Sequence, residues 1–154
     1  MTTILSIARG HNGSTTLMKD GEIIFYLEEE RLSRFKYDGT PLMGIIKAFD
    51  YVDSIDHLVV CHTHRHGPTA DWTGEDIYES LVRKIARKKF EFKTHFIDNI
   101  HHEMHASCGF YNSGFQDAAI VIADGAGSFL DMGEPIKDVG YEFETIFDAD
   151  YENG

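Results

Sequence analysis

The stretch Ile4-Leu5-Ser6-Ile7-Ala8-Arg9-Gly10-His11-Asn12-Gly13-Ser14-Thr15-Thr16-Leu17-Met18-Lys19-Asp20-Gly21-Glu22-Ile23-Ile24-Phe25-Tyr26-Leu27 decides the fold. Ile4 to Ala8 reads as a short buried strand that ends at Gly10. The turn residues His11-Asn12-Gly13-Ser14 follow, and Thr15 to Met18 reads as a second strand. Lys19-Asp20-Gly21 is a tight hairpin signal, and Glu22 to Leu27 forms a third strand. The chain therefore opens as an antiparallel three-stranded meander whose first connection is a polar, glycine-bearing loop.

Beyond the meander, helix and strand patterns alternate. Thr40 and Pro41 predict an N-cap and first helical residue, with Leu42, Ile45, Ile46, Phe49 and Val52 on one apolar face. His57 to Cys61 predicts a buried strand, followed by a polar, irregular segment over Thr63 to Ala70. Thr73 with Asp76 three residues on fits a capping box. The helix after it is expected to turn Ile77, Leu81 and Ile85 inward, with Arg83, Lys84, Arg87, Lys88 and Lys89 as a solvated basic run near its C-terminal end. Thr94 to Ile97 reads as a strand, His101 to Tyr111 as a helix, Ala118 to Ala123 as a fully buried strand and Tyr141 to Phe147 as another strand. A meander followed by helix and strand in alternation implies an α/β layer with a mixed sheet. Its order resembles the ribonuclease-H-like half-domain of the actin-like ATPase superfamily.

The composition narrows the function classes. A chain of 154 residues with 42% hydrophobic residues is of single-domain size and can build one packed core. The net charge of -12 argues against extensive duplex nucleic-acid binding and against an anionic membrane surface. The longest uninterrupted apolar runs are too short to span a bilayer, and the first residues lack the pattern of a signal peptide, so a cytoplasmic location is expected. Cys61 and Cys108 form no C-x-x-C pair and are expected to be small buried residues in a reducing compartment.

Nine histidines are the compositional excess, grouped chiefly in two clusters. In Ile100-His101-His102-Glu103-Met104-His105-Ala106-Ser107, helical spacing stacks His101 and His105 on one face, where two imidazoles can reach one transition-metal ion. His102 then points elsewhere. The zinc-protease pattern H-E-x-x-H is one residue short here, so its general-base glutamate is not placed. Asp124 leaves an apolar strand into Gly125-Ala126-Gly127-Ser128, a carboxylate suited to a metal beside a glycine turn open to phosphate. The turn at Gly10-His11-Asn12-Gly13-Ser14 has the same phosphate-friendly character. His62, His64 and His66 alternate after a strand, as in metal-dependent hydrolases. An exposed histidine-rich loop is the favoured reading of that triplet, because 154 residues cannot supply an amidohydrolase barrel.

Four stretches together resemble the ATP-dependent O-carbamoyltransferases of nodulation-factor and antibiotic biosynthesis, the NodU/CmcH family. They are Ile4 to Ile7 with Gly10 to Ser14; Asp20-Gly21-Glu22-Ile23 running into Glu28-Glu29-Glu30-Arg31-Leu32-Ser33-Arg34-Phe35-Lys36; His101 to Ala106; and Phe110 to Phe115 continuing to Asp124-Gly125-Ala126-Gly127. The glutamate-rich segment from Glu28 to Lys36 discriminates this family from tRNA-modifying relatives. The resemblance implies that residues 1–154 are the N-terminal lobe of a Kae1-like domain, with the second lobe and a YrdC-like domain supplied elsewhere, in cis or in trans. It implies that ATP and carbamoyl phosphate yield carbamoyl-adenylate in the YrdC-like domain. The carbamoyl group then passes to a hydroxyl of a small-molecule or nucleoside acceptor. It also implies that His101, His105 and Asp124 hold Fe2+ or another divalent transition metal, with Gly125, Ala126, Gly127, Asn12 and Gly13 near the nucleotide and His11 and Lys36 in the carbamoyl pocket. Ser128 stands where the family commonly carries a glutamate. A non-catalytic metal- or nucleotide-binding partner subunit is the alternative, and a hydrolase on His62, His64 and His66 a third.

Overall fold

The computed structural model describes residues 1–10, 12–61, 76–86, 89–97, 100–130 and 140–152. Residues up to Ile97 form one compact unit and those from Ile100 onward a second.

In the first unit, β1 (Thr3–Ala8), β2 (Ser14–Lys19) and β3 (Glu22–Glu28) form the expected meander. Asp20 and Gly21 both take positive φ, 52° and 87°. These are the signs that a two-residue hairpin turn requires and that a glycine supplies at least cost. After β3 come a single helical turn, α1 (Glu30–Ser33), then α2 (Leu42–Ala48), β4 (His57–Cys61), α3 (Ile77–Ile85) and β5 (Lys93–Ile97). The five strands make one mixed sheet in the order β3-β2-β1-β4-β5. β1 is antiparallel to β2 and parallel to β4, and β4 is parallel to β5. One face of the sheet buries Leu5, Ile7, Leu17, Leu58 and Val60 against Ile45 and Ala48 of α2 and Tyr78 and Val82 of α3.

Two helices differ from their sequence expectation in which face is buried. In α2, Ile46 is exposed while Gly44, Ile45 and Ala48 are buried. Its N-terminus is capped from a distance rather than by Thr40: the buried Glu29 carboxylate accepts the N–H groups of Met43 at 2.8 Å and Gly44 at 2.9 Å. In α3, Asp76 is itself the N-cap, accepting from the N–H groups of Tyr78 and Glu79. Starting the helix there turns Tyr78 and Val82 inward and leaves Ile77 65% exposed. Leu81 and Ile85 pack at the border of the core. Arg83 and Lys84 are exposed as expected. Thr73, Arg87 and Lys88 lie outside the described residues, as does the segment from Thr63 to Ala70. Cys61 is only half-buried and Cys108 is exposed, which corrects the expectation of two buried thiols.

The second unit comprises α4 (His101–Ser113), β6 (Asp117–Ala123), β7 (Phe129–Leu130), β8 (Gly140–Tyr141) and β9 (Glu144–Asp150). β6 pairs antiparallel with β9, and β7 with β8. Ala106 and Phe110 of α4 are buried within this unit, as is Ala149 of β9. β6 is not the fully buried strand that its apolar run suggests, because in a two-stranded sheet alternate side chains face outward. Val121 is 67% exposed and its register partner Ile146 74%. No described helix is long and apolar enough to cross a membrane.

Candidate metal centre

α4 places His101 and His105 one turn apart, with ring centroids 4.5 Å apart and the rings edge to face. The end of β6 delivers Asp124 to the same point. His101 Nε2 lies 2.7 Å from Asp124 Oδ2 and 3.1 Å from His105 Nε2, and His105 Nε2 lies 3.5 Å from Asp124 Oδ2. Ligand atoms about 2.0–2.1 Å from a single ion stand roughly 3.0–3.4 Å from one another, so these separations bracket a metal-binding triad. It is the one group of three or more such ligands among the described residues.

The donor chemistry points the same way. If His101 Nε2 carries a proton it can donate to Asp124, but His105 Nε2 then has no second proton between the rings to share. If His105 Nε2 carries the proton, the lone pair of His101 faces a carboxylate oxygen. Protons satisfy only part of the arrangement, whereas one cation satisfies all three contacts. His101 and Asp124 are partly exposed and His105 more so, which leaves room for further ligands.

The hydrogen bond with His101 Nε2, followed by that from the Gly125 N–H at 2.6 Å, holds the Asp124 carboxyl below the usual carboxylate range. Asp124 therefore presents an anion at neutral pH, as a cation site requires.

The support for this triad comes from long-range pairings that local sequence pattern does not show. Ile100, the N-cap residue of α4, supplies no side-chain cap. Ser128 does so instead: its Oγ accepts the His101 N–H at 3.0 Å. Behind it, Glu142 Oε2 accepts the Ser128 N–H at 2.8 Å and lies 3.4 Å from the His102 nitrogen. Burial works against ionisation of Glu142, but the hydrogen bonds from Ser128 and His102 outweigh it and leave its carboxyl below the usual range. His102 is fully buried, with its Nδ1 2.6 Å from Thr145 Oγ1. Gly127 is needed because a Cβ there would stand 2.8 Å from atoms of both Glu142 and His102.

The remaining candidate residues are distributed as follows. Gly125 and Ala126 are exposed in the turn after β6, and Gly127 is buried. The N–H of Gly125 is committed to Asp124, that of Gly127 to the Glu142 carbonyl and that of Ser128 to the Glu142 side chain. In the first unit, Asn12 is exposed and donates to Glu30, Gly13 is buried and donates to the Asp38 carbonyl, and Lys36 is exposed with its Nζ 4.8 Å from the Tyr37 ring centroid. His11, His62, His64 and His66 lie outside the described residues.

Fold and site together define an α/β chain with a mixed five-stranded sheet and a His-His-Asp cluster able to take a metal ion. Its similarities lie with much longer proteins. It is 28% identical to the uncharacterised protein sll1178 of Synechocystis over 84% of its length, and 30% identical to the uncharacterised protein MJ1051 of Methanocaldococcus jannaschii over 82%. It is 27% identical to the nodulation protein NolNO of Sinorhizobium fredii over 77% of its length. The aligned regions are 26%, 23% and 20% of those three proteins. No family model matches the chain.

Proposed function

We propose that this chain is part of an enzyme that transfers a carbamoyl group from carbamoyl-adenylate to a hydroxyl of a small-molecule or nucleoside acceptor. The observation that carries the reading is the convergence of His101, His105 and Asp124, the residues that match the family's metal ligands, at the spacing of one ion. The similarity to a nodulation protein supports it, in line with the motifs' resemblance to the carbamoyltransferases of nodulation-factor biosynthesis. The strand order β3-β2-β1-β4-β5, with its two parallel pairings after the meander, supports a ribonuclease-H-like half-domain.

In this reading His101, His105 and Asp124 hold a divalent transition metal, Fe2+ in the family. When bound, it supplies positive charge to the phosphates of the nucleotide. The amide N–H groups of Gly125, Gly127 and Ser128 are already used within the unit, so phosphate recognition here does not draw on those three amides. Lys36 neutralises charge on the leaving phosphate. His11 orients the acceptor hydroxyl and takes its proton as the oxygen bonds to the carbamoyl carbon and the bond from that carbon to the AMP phosphate oxygen breaks. Adenylation is needed because a carbamate carbonyl is a poor electrophile without a good leaving group.

The test combines the chain with the second lobe and a YrdC-like domain, ATP, labelled carbamoyl phosphate and a panel of hydroxyl acceptors. Label should pass to at least one acceptor, and His101→Ala or Asp124→Asn should lower transfer by about 100-fold or more, the loss expected for a dismantled metal site. The chain alone should make no carbamoyl-adenylate. Transfer at an undiminished rate by the His101→Ala, His105→Ala double variant would overturn the site, and adduct formation by the chain alone would overturn the division of labour.

A further inference from the structure

We infer that Glu30 is a positioning residue that clamps the loop between β1 and β2, at Asn12, to the turn carrying Lys36. The inference rests on the proposed function for the role of Lys36, and on geometry within the first unit for the clamp itself.

Glu30 opens α1, and one of its carboxylate oxygens, Oε2, accepts two donors. One is the Asn12 side-chain amide at 3.1 Å, from the loop between β1 and β2; the other is the Tyr37 N–H at 3.0 Å, from the turn after α1. Its other oxygen lies 3.4 Å from Arg31, which also pairs with Glu28 at 3.1 Å. Asn12 lies in the loop between β1 and β2 and Tyr37 directly follows Lys36, so a single carboxylate oxygen joins both segments.

Main-chain contacts run alongside. Gly10 N–H donates to the Gly39 carbonyl at 3.1 Å, Gly13 N–H to the Asp38 carbonyl at 2.8 Å and Glu29 N–H to the Gly13 carbonyl at 2.8 Å. A Cβ on Gly13 would stand 2.8 Å from the Gly39 main chain, and one on Gly39 2.8 Å from that of Gly10, so the two segments touch main chain to main chain.

The turn itself is held in a costly conformation. Arg34 and Tyr37 both have φ of 63°, a region that side chains larger than glycine rarely adopt. Such strain persists only where surrounding contacts over-determine it, and the Glu30 bond to the Tyr37 N–H is one such contact. The hydrogen bonds of Glu30 to Asn12 and to Tyr37 serve the two loops. The glutamate-rich segment that distinguishes this sequence thus acts through hydrogen bonds: Glu29 caps α2, and Glu30 joins the loops.

The experiment compares Glu30→Ala, Glu30→Gln and Lys36→Ala by residue-resolved amide hydrogen exchange of this chain and by carbamoyl transfer with the second lobe and the YrdC-like domain. Glu30→Ala should speed exchange at Tyr37, Gly10 and Gly13 by roughly tenfold or more, the worth of one lost hydrogen bond, and leave Leu5 and Val60 unchanged. Glutamine keeps an oxygen that can accept both donors, so Glu30→Gln should hold those amides close to wild type. In transfer, Glu30→Ala should lower kcat by about tenfold with little change in KM, and Glu30→Gln should restore it. Unchanged exchange at Gly10 and Gly13 in Glu30→Ala would overturn the clamp. Faster exchange with wild-type kcat would overturn its positioning role. Wild-type turnover by Lys36→Ala would instead remove the role of Lys36, and with it the function the clamp serves, while the exchange data identified which of the two had failed.

Discussion

Replacing Glu29 by alanine should destabilise the first unit strongly, and the structure sets the size of the effect. Glu29 is 2% exposed, and its carboxylate accepts two N–H groups at the start of α2, from Met43 and from the buried Gly44. Alanine leaves both donors without a partner, and at Gly44 without access to water. An unsatisfied buried donor costs about 1–3 kcal/mol, and loss of a helix N-cap about 1–2 kcal/mol. Because the cap and the two bonds are the same interaction, a combined loss of about 3 kcal/mol is expected rather than their sum. For a chain of this length that is a fall in Tm of about 6–12 °C. Glutamine retains one acceptor oxygen and should lose about 1–2 kcal/mol. Urea unfolding followed by far-ultraviolet circular dichroism measures both variants. A loss below about 0.5 kcal/mol for Glu29→Ala, the range of an ordinary surface substitution, would refute the capping argument. So would a glutamine variant less stable than the alanine one.

Two further predictions concern the second unit. Ser128→Ala removes the acceptor for the His101 N–H and should cost about 1 kcal/mol, together with about a tenfold loss of metal affinity, whereas Ser128→Thr should retain both; thermal unfolding and metal titration report the two effects. Glu142 has a folded-state pKa below its ordinary value of 4.5, so its stabilising contribution is fully present above that value and is lost as pH falls through the lower, folded one. Stability measured from pH 7 down to pH 3 should therefore drop less steeply in Glu142→Gln than in wild type, and parallel curves would contradict the assignment.

Local pattern made the meander legible. Alternation in β1 and β2, with Asp20-Gly21 between β2 and β3, is a short-range signal, and the structure places the hairpin where those residues stand. The i, i+4 spacing of His101 and His105 was legible for the same reason, and so was Asp124 at the end of an apolar strand. What local pattern could not supply is the long-range partner. Glu29 caps a helix 14 residues away, Ser128 caps one 27 residues away, and Glu142 meets His102 across 40 residues. Those partners also explain why the buried faces of α2 and α3 differ from the sequence pattern. α2 does not need Thr40 once Glu29 occupies its N-terminus, and a start at Asp76 sets the phase of α3 so that Ile77 faces out and Tyr78 in. The apolar run of β6 is that of a strand covered on both faces, whereas among the described residues it pairs with β9 and has an outward row at Val121.

The most direct test of the account is metal binding by the purified chain, measured by anaerobic titration with Fe2+ and with Co2+ as a spectroscopic probe. The account predicts one ion per chain, with cobalt d–d bands showing nitrogen and oxygen ligands. Affinity should fall at least tenfold in each of His101→Ala, His105→Ala and Asp124→Asn, while His57→Ala binds as wild type. Stoichiometric binding that survives all three substitutions would contradict it.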